Sequence, residues 1–166
     1  MMARLRSSGA IPRVPIYLNS PMAVDATRIY HIYRSEHRLT VEECTAACQV
    51  AEFVNTPEAS KALNLKRDPM IIISASGMAT GGRILHHLRL RLPDPSTTVL
   101  LAGFQAAGTR GRALRDGATV VRIPGSGAPQ SFRIAKLFGA YGLDRREIEQ
   151  ALAGDLVVIA GIDSIS

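Results

Sequence analysis

Apolar residues fall in short runs that alternate with amphipathic stretches up to about residue 123, and the pattern changes after that point. Residues 14–18 read as a buried strand, which Asn19-Ser20-Pro21 stops. Residues 22–34 then set Ile29, Tyr30, Ile32 and Tyr33 at roughly helical spacing. Thr40 precedes Glu43 by three positions, a capping-box pattern that opens a second helix through Cys44 and Cys48 toward Val50. Thr56-Pro57 starts a third, with Pro at the first helical position, over residues 58–63.

The run 70–73 is continuous and β-branched, as in a strand covered on both faces. A Gly-rich turn leads into residues 83–92, where Ile84, Leu85, Leu88 and Leu92 share one helical face before Pro93-Asp94-Pro95 ends it. Residues 98–101 and 119–123 read as two more buried strands, separated by a second Gly-rich turn over 103–112 and a short helix near Ala113. Alternation of this kind predicts an α/β fold with a mostly parallel sheet, right-handed crossovers and flanking helices. Residues 124–130 read as a linker or junction. Beyond it, short strand-like pieces at 132–137 and 156–160, with turn signals at Gly142 and 153–155, predict a β-rich C-terminal appendage.

A length of 166 residues suffices for one domain with a piece of another. No apolar stretch approaches the roughly 18 residues of a membrane span, and no signal-peptide pattern follows Met1. The expectation is therefore a cytoplasmic protein without a membrane partner. The formal charge of +6 sharpens when it is divided. Residues 131–166 carry a net −1, so the basic excess belongs entirely to the first 130 residues. Most of it is arginine, which suits bidentate phosphate contacts. Cys44 and Cys48 share one helical face. They read as two buried thiols in a reducing compartment or as half of a zinc site; the first reading is preferred on the expectation that no second Cys/His pair lies at a suitable spacing.

Three strand-to-helix turns carry small residues: 19–22, 74–82 and 103–112. In a parallel sheet such turns gather along the carboxyl edge of the strands, where ligands bind. Glycine lets backbone N–H groups approach a ligand closely, and Thr109, Arg110 and Arg112 add a hydroxyl and charged donors. The chemistry points to phosphate groups, against the plainer alternative that the glycines only relieve tight turns. Neither turn matches G-x-x-x-x-G-K-[ST] or G-x-G-x-x-G, so no nucleotide cofactor of those types is expected. Arg83, His86, His87, Arg89 and Arg91 crowd the intervening helix. At about 100° per residue, His86 and His87 diverge, so one lines a site while the other is structural or solvated. A basic, solvated face explains the helix equally well. Phe104 is the one aromatic in the two Gly-rich turns, so contacts to nucleic acid would rest on its backbone.

At these residues the chain becomes recognisable. Residues 69–83 (Pro-Met-Ile-Ile-Ile-Ser-Ala-Ser-Gly-Met-Ala-Thr-Gly-Gly-Arg), His86-His87-Leu88 and residues 103–112 (Gly-Phe-Gln-Ala-Ala-Gly-Thr-Arg-Gly-Arg) closely resemble the β-CASP region of metallo-β-lactamase-fold RNA-processing ribonucleases. Residues 15–23 and 60–64 fit the same family, with Asn19 where an Asp is common. The resemblance spans about residues 3–123 and makes residues 1–123 a partial β-CASP domain. It implies a hydrolase in which two zinc ions sit between a metallo-β-lactamase domain and the β-CASP part that closes over single-stranded RNA. It also implies RNA-phosphate contacts at Ser76, Gly77, Met78, Thr109, Arg110 and Arg112, with Ser20, Thr80 and Gly108 in the same motifs, and His86 and His87 as site-lining candidates.

The family's H-x-H-x-D-H motif occurs nowhere in this sequence, and no histidine follows His87. The expectation is a truncated β-CASP domain with no catalytic residue, metal ligand or cofactor of its own, inactive unless another chain supplies the metallo-β-lactamase half. Residues 133–139, 142–149 and 153–161 resemble part of the β-barrel second domain of translational GTPases of the BipA/TypA type. That makes residues 131–166 a second, foreign-looking piece, as in a chimeric or fused chain. The competing function is a non-catalytic ribosome- or protein-interaction module.

Overall fold

The computed structural model describes residues 2–94, 96–118, 120–124, 130–141, 144–147 and 157–165. In chain order the elements are α1 (Met2–Ser7), β1 (Ile16–Asn19), α2 (Pro21–Ile32), α3 (Val41–Gln49), β2 (Glu52–Phe53), α4 (Pro57–Leu65) and β3 (Ile71–Ser74). There follow α5 (Ile84–Arg91), β4 (Val99–Leu101), α6 (Arg110–Arg115), β5 (Val120–Ile123), β6 (Gln130–Tyr141), β7 (Asp144–Glu147) and β8 (Val157–Ile165). They form two compact units, Met1–Ser74 and Ala75–Ser166. No helix among the described residues is long and apolar enough to cross a membrane.

The first unit is built on a parallel sheet of order β2-β1-β3, flanked by helices. β1 is the central strand and is buried along its whole length. It pairs with β3 from Ile16 opposite Ile71 to Asn19 opposite Ser74, and with the two-residue β2 at Tyr17 and Leu18. Tyr17, Val54 and Leu63 form the core here, with Met70 and Ile72 packed on them. The helix signals act as sequence spacing predicts. Thr40 and Glu43 close a reciprocal capping box at α3, and the Thr56 hydroxyl caps α4 with Pro57 in its first turn. Asn19-Ser20-Pro21 does two jobs: it ends β1, and Ser20 then caps α2 with Pro21 inside the first turn.

Three expectations change in detail. β2 is too short to leave a periodic trace and has no counterpart in the sequence pattern. The apolar positions of α2 and its C-cap do not face a core: Ile29, Tyr30, Ile32 and the cap residue Tyr33 are exposed, and Val24 is the residue α2 buries. β3, read as covered on both faces, leaves Ile73 exposed.

In the second unit, β4 and β5 do not extend the parallel sheet. They join an antiparallel sheet of order β4-β8-β6-β5, with β7 paired to β6. The short connection between β5 and β6 fits their antiparallel pairing, because a parallel pair needs a crossover of a dozen or more residues. Leu88, Leu92, Leu101, Leu114, Val121 and Ile123 make the core, with Ile84 and Leu85 packed against it, so the apolar face read on α5 does face inward. Leu114 and Ile123 are fully buried, each contributing about 1.5–3 kcal/mol of burial free energy.

Candidate nucleic-acid interface

The second unit brings the two Gly-rich turns together. After β3 the chain makes a tight turn in which the Ser76 hydroxyl accepts from the Thr80 amide and lies 3.1 Å from the Thr80 hydroxyl. Ala79 and Gly82 take positive φ, 52° and 76°. At Gly82 a β-carbon would stand 2.6 Å from the Ala75 carbonyl oxygen, so the site requires glycine. The second turn docks through Gly111, whose amide donates to the Met78 carbonyl over 2.8 Å. Gln105, buried between them, donates its side-chain amide to the carbonyls of Gly77 and Gly103 at 3.1 and 3.0 Å.

Arginines surround this knot, and the structure separates their roles. Arg110 is a clamp: its guanidinium donates to the carbonyls of Arg122, Ala79 and Thr80, tying the start of α6 to β5 and to the first turn. Arg112 pairs with Asp116 one helical turn away, and the buried Arg115 pairs with the same carboxylate. Burial alone raises the Asp116 carboxyl, but the hydrogen bonds from Arg112 and Arg115 outweigh it and hold the group below its ordinary value. The Thr109 hydroxyl accepts from the Arg112 amide and donates to the Ala106 carbonyl, so it caps α6.

Toward solvent the surface presents Gly77, Thr80, Phe104 and Gly108, with Ser76 and Met78 half-buried. Phe104 is 64% exposed, an aromatic face at the edge of the two turns. His86 is exposed and His87 buried, the divergence that helical spacing predicts. Burial, with the nearby charges of Arg91, His86 and Arg83, pushes His87 down to about 4, so it is neutral at physiological pH.

Ser20 belongs to the first unit, apart from the other candidates in the chain's division. It is buried, and its hydroxyl accepts from the Ala23 amide as the cap of α2. Beside it Asn19 is wholly enclosed: the Ser60 hydroxyl donates to Oδ1 and the Ser74 hydroxyl to the backbone carbonyl. Two features of these sites were not read from sequence. Gln105 lies among small residues with nothing to mark its burial, and the exposure of Phe104 depends on how its turn folds back. A third concerns metal ligation: His31, Cys44 and Cys48 bring one donor atom each within 4.8 Å of one another.

The Beta-Casp domain model matches residues 1–114. The chain belongs to the Beta-Casp domain family. A ribonuclease of Thermus thermophilus is 38% identical over 141 residues, covering 80% of this chain and 32% of that protein. An RNase J-like protein of Methanocaldococcus jannaschii is 32% identical over 136 residues, covering 81% of this chain and again 32% of the relative. The chain thus spans about a third of the length of these curated relatives. A stretch of 40 residues is also 52% identical to the large ribosomal subunit assembly factor BipA of Bacillus subtilis, covering 24% of this chain and 6% of that protein. This agrees with the resemblance carried by residues 131–166. The Beta-Casp chain is therefore a ribonuclease-related domain of the RNA-processing kind, with a second, short likeness to a ribosome-assembly factor.

Proposed function

We propose that this Beta-Casp domain holds single-stranded RNA for a metal-dependent ribonuclease, with its phosphates lying over the paired turns 76–80 and 108–112. The observation behind this is the interlock through Gln105 and Gly111, which fixes both turns as one rigid surface before any ligand arrives. A preorganised surface loses little entropy on binding. Exposed Thr80, Gly77 and Gly108 offer backbone and hydroxyl donors, Arg112 supplies charge from a partly exposed side chain, and Phe104 offers a base-stacking face. Arg110 serves the surface by bracing it. Ser20 contributes by capping α2, and exposed His86, rather than buried His87, faces the solvent side.

The paired zinc ions of metallo-β-lactamase-fold nucleases do not fit the residues of this chain. His86 and His87 diverge, one exposed and one buried, and the cluster that could hold a metal among the described residues, His31 with Cys44 and Cys48, is rich in thiols rather than in His and Asp. Hydrolysis would fall to a metallo-β-lactamase part, on the same polypeptide or another chain, in the cytoplasm where free thiols such as Cys44 and Cys48 persist. In this reading residues 1–123 form the RNA-holding portion, 124–130 the junction and 131–166 the BipA-like piece.

A second reading rests on the 40-residue BipA match: a non-catalytic module that contacts a ribosome or protein through the C-terminal strands. Amide chemical-shift mapping with a short single-stranded RNA separates the two. The first reading expects the largest shifts at Ser76–Thr80 and Gly108–Arg112 and a smaller response over β6 to β8. Shifts confined to residues 130–165 would overturn it in favour of the second.

A further inference from the structure

We propose that the first unit carries a zinc site that joins α2 to α3, with His31, Cys44 and Cys48 as ligands. Cys44 and Cys48 stand one turn apart on α3, and His31 lies in the last turn of α2. Their donor atoms lie within 4.8 Å of one another, with His31 Nδ1 4.0 Å from Cys44 Sγ. A tetrahedral zinc with bonds of about 2.3 Å to sulfur and about 2.0 Å to nitrogen sets donors about 3.5–3.8 Å apart, so the widest separation closes by about 1 Å, within reach of small side-chain rotations. His37 Nε2 is 3.5 Å from Cys44 Sγ and 3.3 Å from the Tyr30 carbonyl oxygen, so it takes the fourth position only by giving up that carbonyl; otherwise water completes the set. Its ring is stacked on Tyr30 with centroids 4.1 Å apart, and its buried Nδ1 has no hydrogen-bond partner in the structure.

The spacings also suit zinc. Cys44 and Cys48 are separated by three residues, and His31 and His37 by five, both within the usual ranges for paired ligands. The histidine pair is the second pair that the sequence reading did not find: it lies across a helix end and the following loop, and only the packing of α2 on α3 turns it toward the thiols. Two thiols and imidazole nitrogen select zinc over magnesium or calcium, which require oxygen ligands. Cys44 is buried while His31, His37 and Cys48 are half-buried, leaving the ion a way in. The ion would act as a structural clamp between the helices, distinct from any hydrolytic metal.

Cobalt titration of the purified, reduced and chelator-treated chain tests this directly. The expected result is a thiolate-to-cobalt charge-transfer band with strong tetrahedral ligand-field absorption, saturating at about one ion per chain and abolished by zinc. Cys44→Ser and Cys48→Ser each remove most of the charge-transfer intensity, and His31→Gln weakens binding at least about tenfold. An independent measurement needs no variant: zinc should slow alkylation of both thiols in the unmodified chain about tenfold or more. Absence of the charge-transfer band at saturating cobalt, or alkylation rates indifferent to zinc, would overturn the site.

Discussion

A β-carbon at Gly111 would stand 1.8 Å from Gln105 Oε1, closer than real atoms come, and a tight 3.1 Å from the Met78 carbonyl carbon. Gly111→Ala must therefore displace Gln105 and free the carbonyls of Gly77 and Gly103 that it holds. We expect a loss of about 2 kcal/mol in urea unfolding and weaker RNA binding from a loosened surface. A variant as stable as the parent would show that Gln105 does not brace the turns. His87 makes a prediction about pH. Its pKa falls from an ordinary 6.5 to about 4 in the fold, so below 6.5 the unfolded chain takes up the proton first. Its contribution is full above about pH 6.5 and is lost as pH falls toward 4, by at most about 3 kcal/mol at about 1.4 kcal/mol per pH unit. Urea unfolding at pH 7 and pH 4.5 should show this loss, and His87→Asn should flatten it. At this scale the sequence was legible where chemistry is local, as in the capping box of Thr40 and Glu43. It was silent on Gln105 and on the pairing of His31 with the thiols, because those depend on residues far apart in the chain.

Strands and helices were legible as types more than as partners. β1 and β3 pair in parallel as their apolar runs suggest, and α5 buries its Leu88 and Leu92 face. The pattern could not tell which strands β4 and β5 would join, because a short buried run looks the same in either sheet direction. Nor could it show that Ile29, Tyr30 and Ile32 of α2 stay exposed, since helical spacing marks a face without naming its cover. The antiparallel pairing leads to a test. Removing residues 130–166 takes away β6 beside β5 and β8 beside β4, leaving both strands as unpaired edges. The truncated chain should melt at a clearly lower temperature and aggregate more readily. An unchanged melting profile would mean that β4 and β5 hold their structure without those partners.

The whole chain combines a basic α/β portion with β strands that continue one of its sheets. Its family shows in motifs that are local and ordered along the sequence, which is why residues 69–83 and 103–112 sufficed to place it. What local motifs could not convey is that the two turns interlock, with Arg110 bracing them rather than standing free. The central claim is that this surface grips RNA phosphates, and counterion release is its signature. Fluorescence anisotropy of a labelled single-stranded RNA, titrated with the full chain across a range of salt, measures it most directly. About three phosphate contacts predict a slope near −2 in log affinity against log salt, or about 15-fold weaker binding over a fourfold rise in salt. Binding that is undetectable at low salt, or that holds constant across the range, would contradict the account.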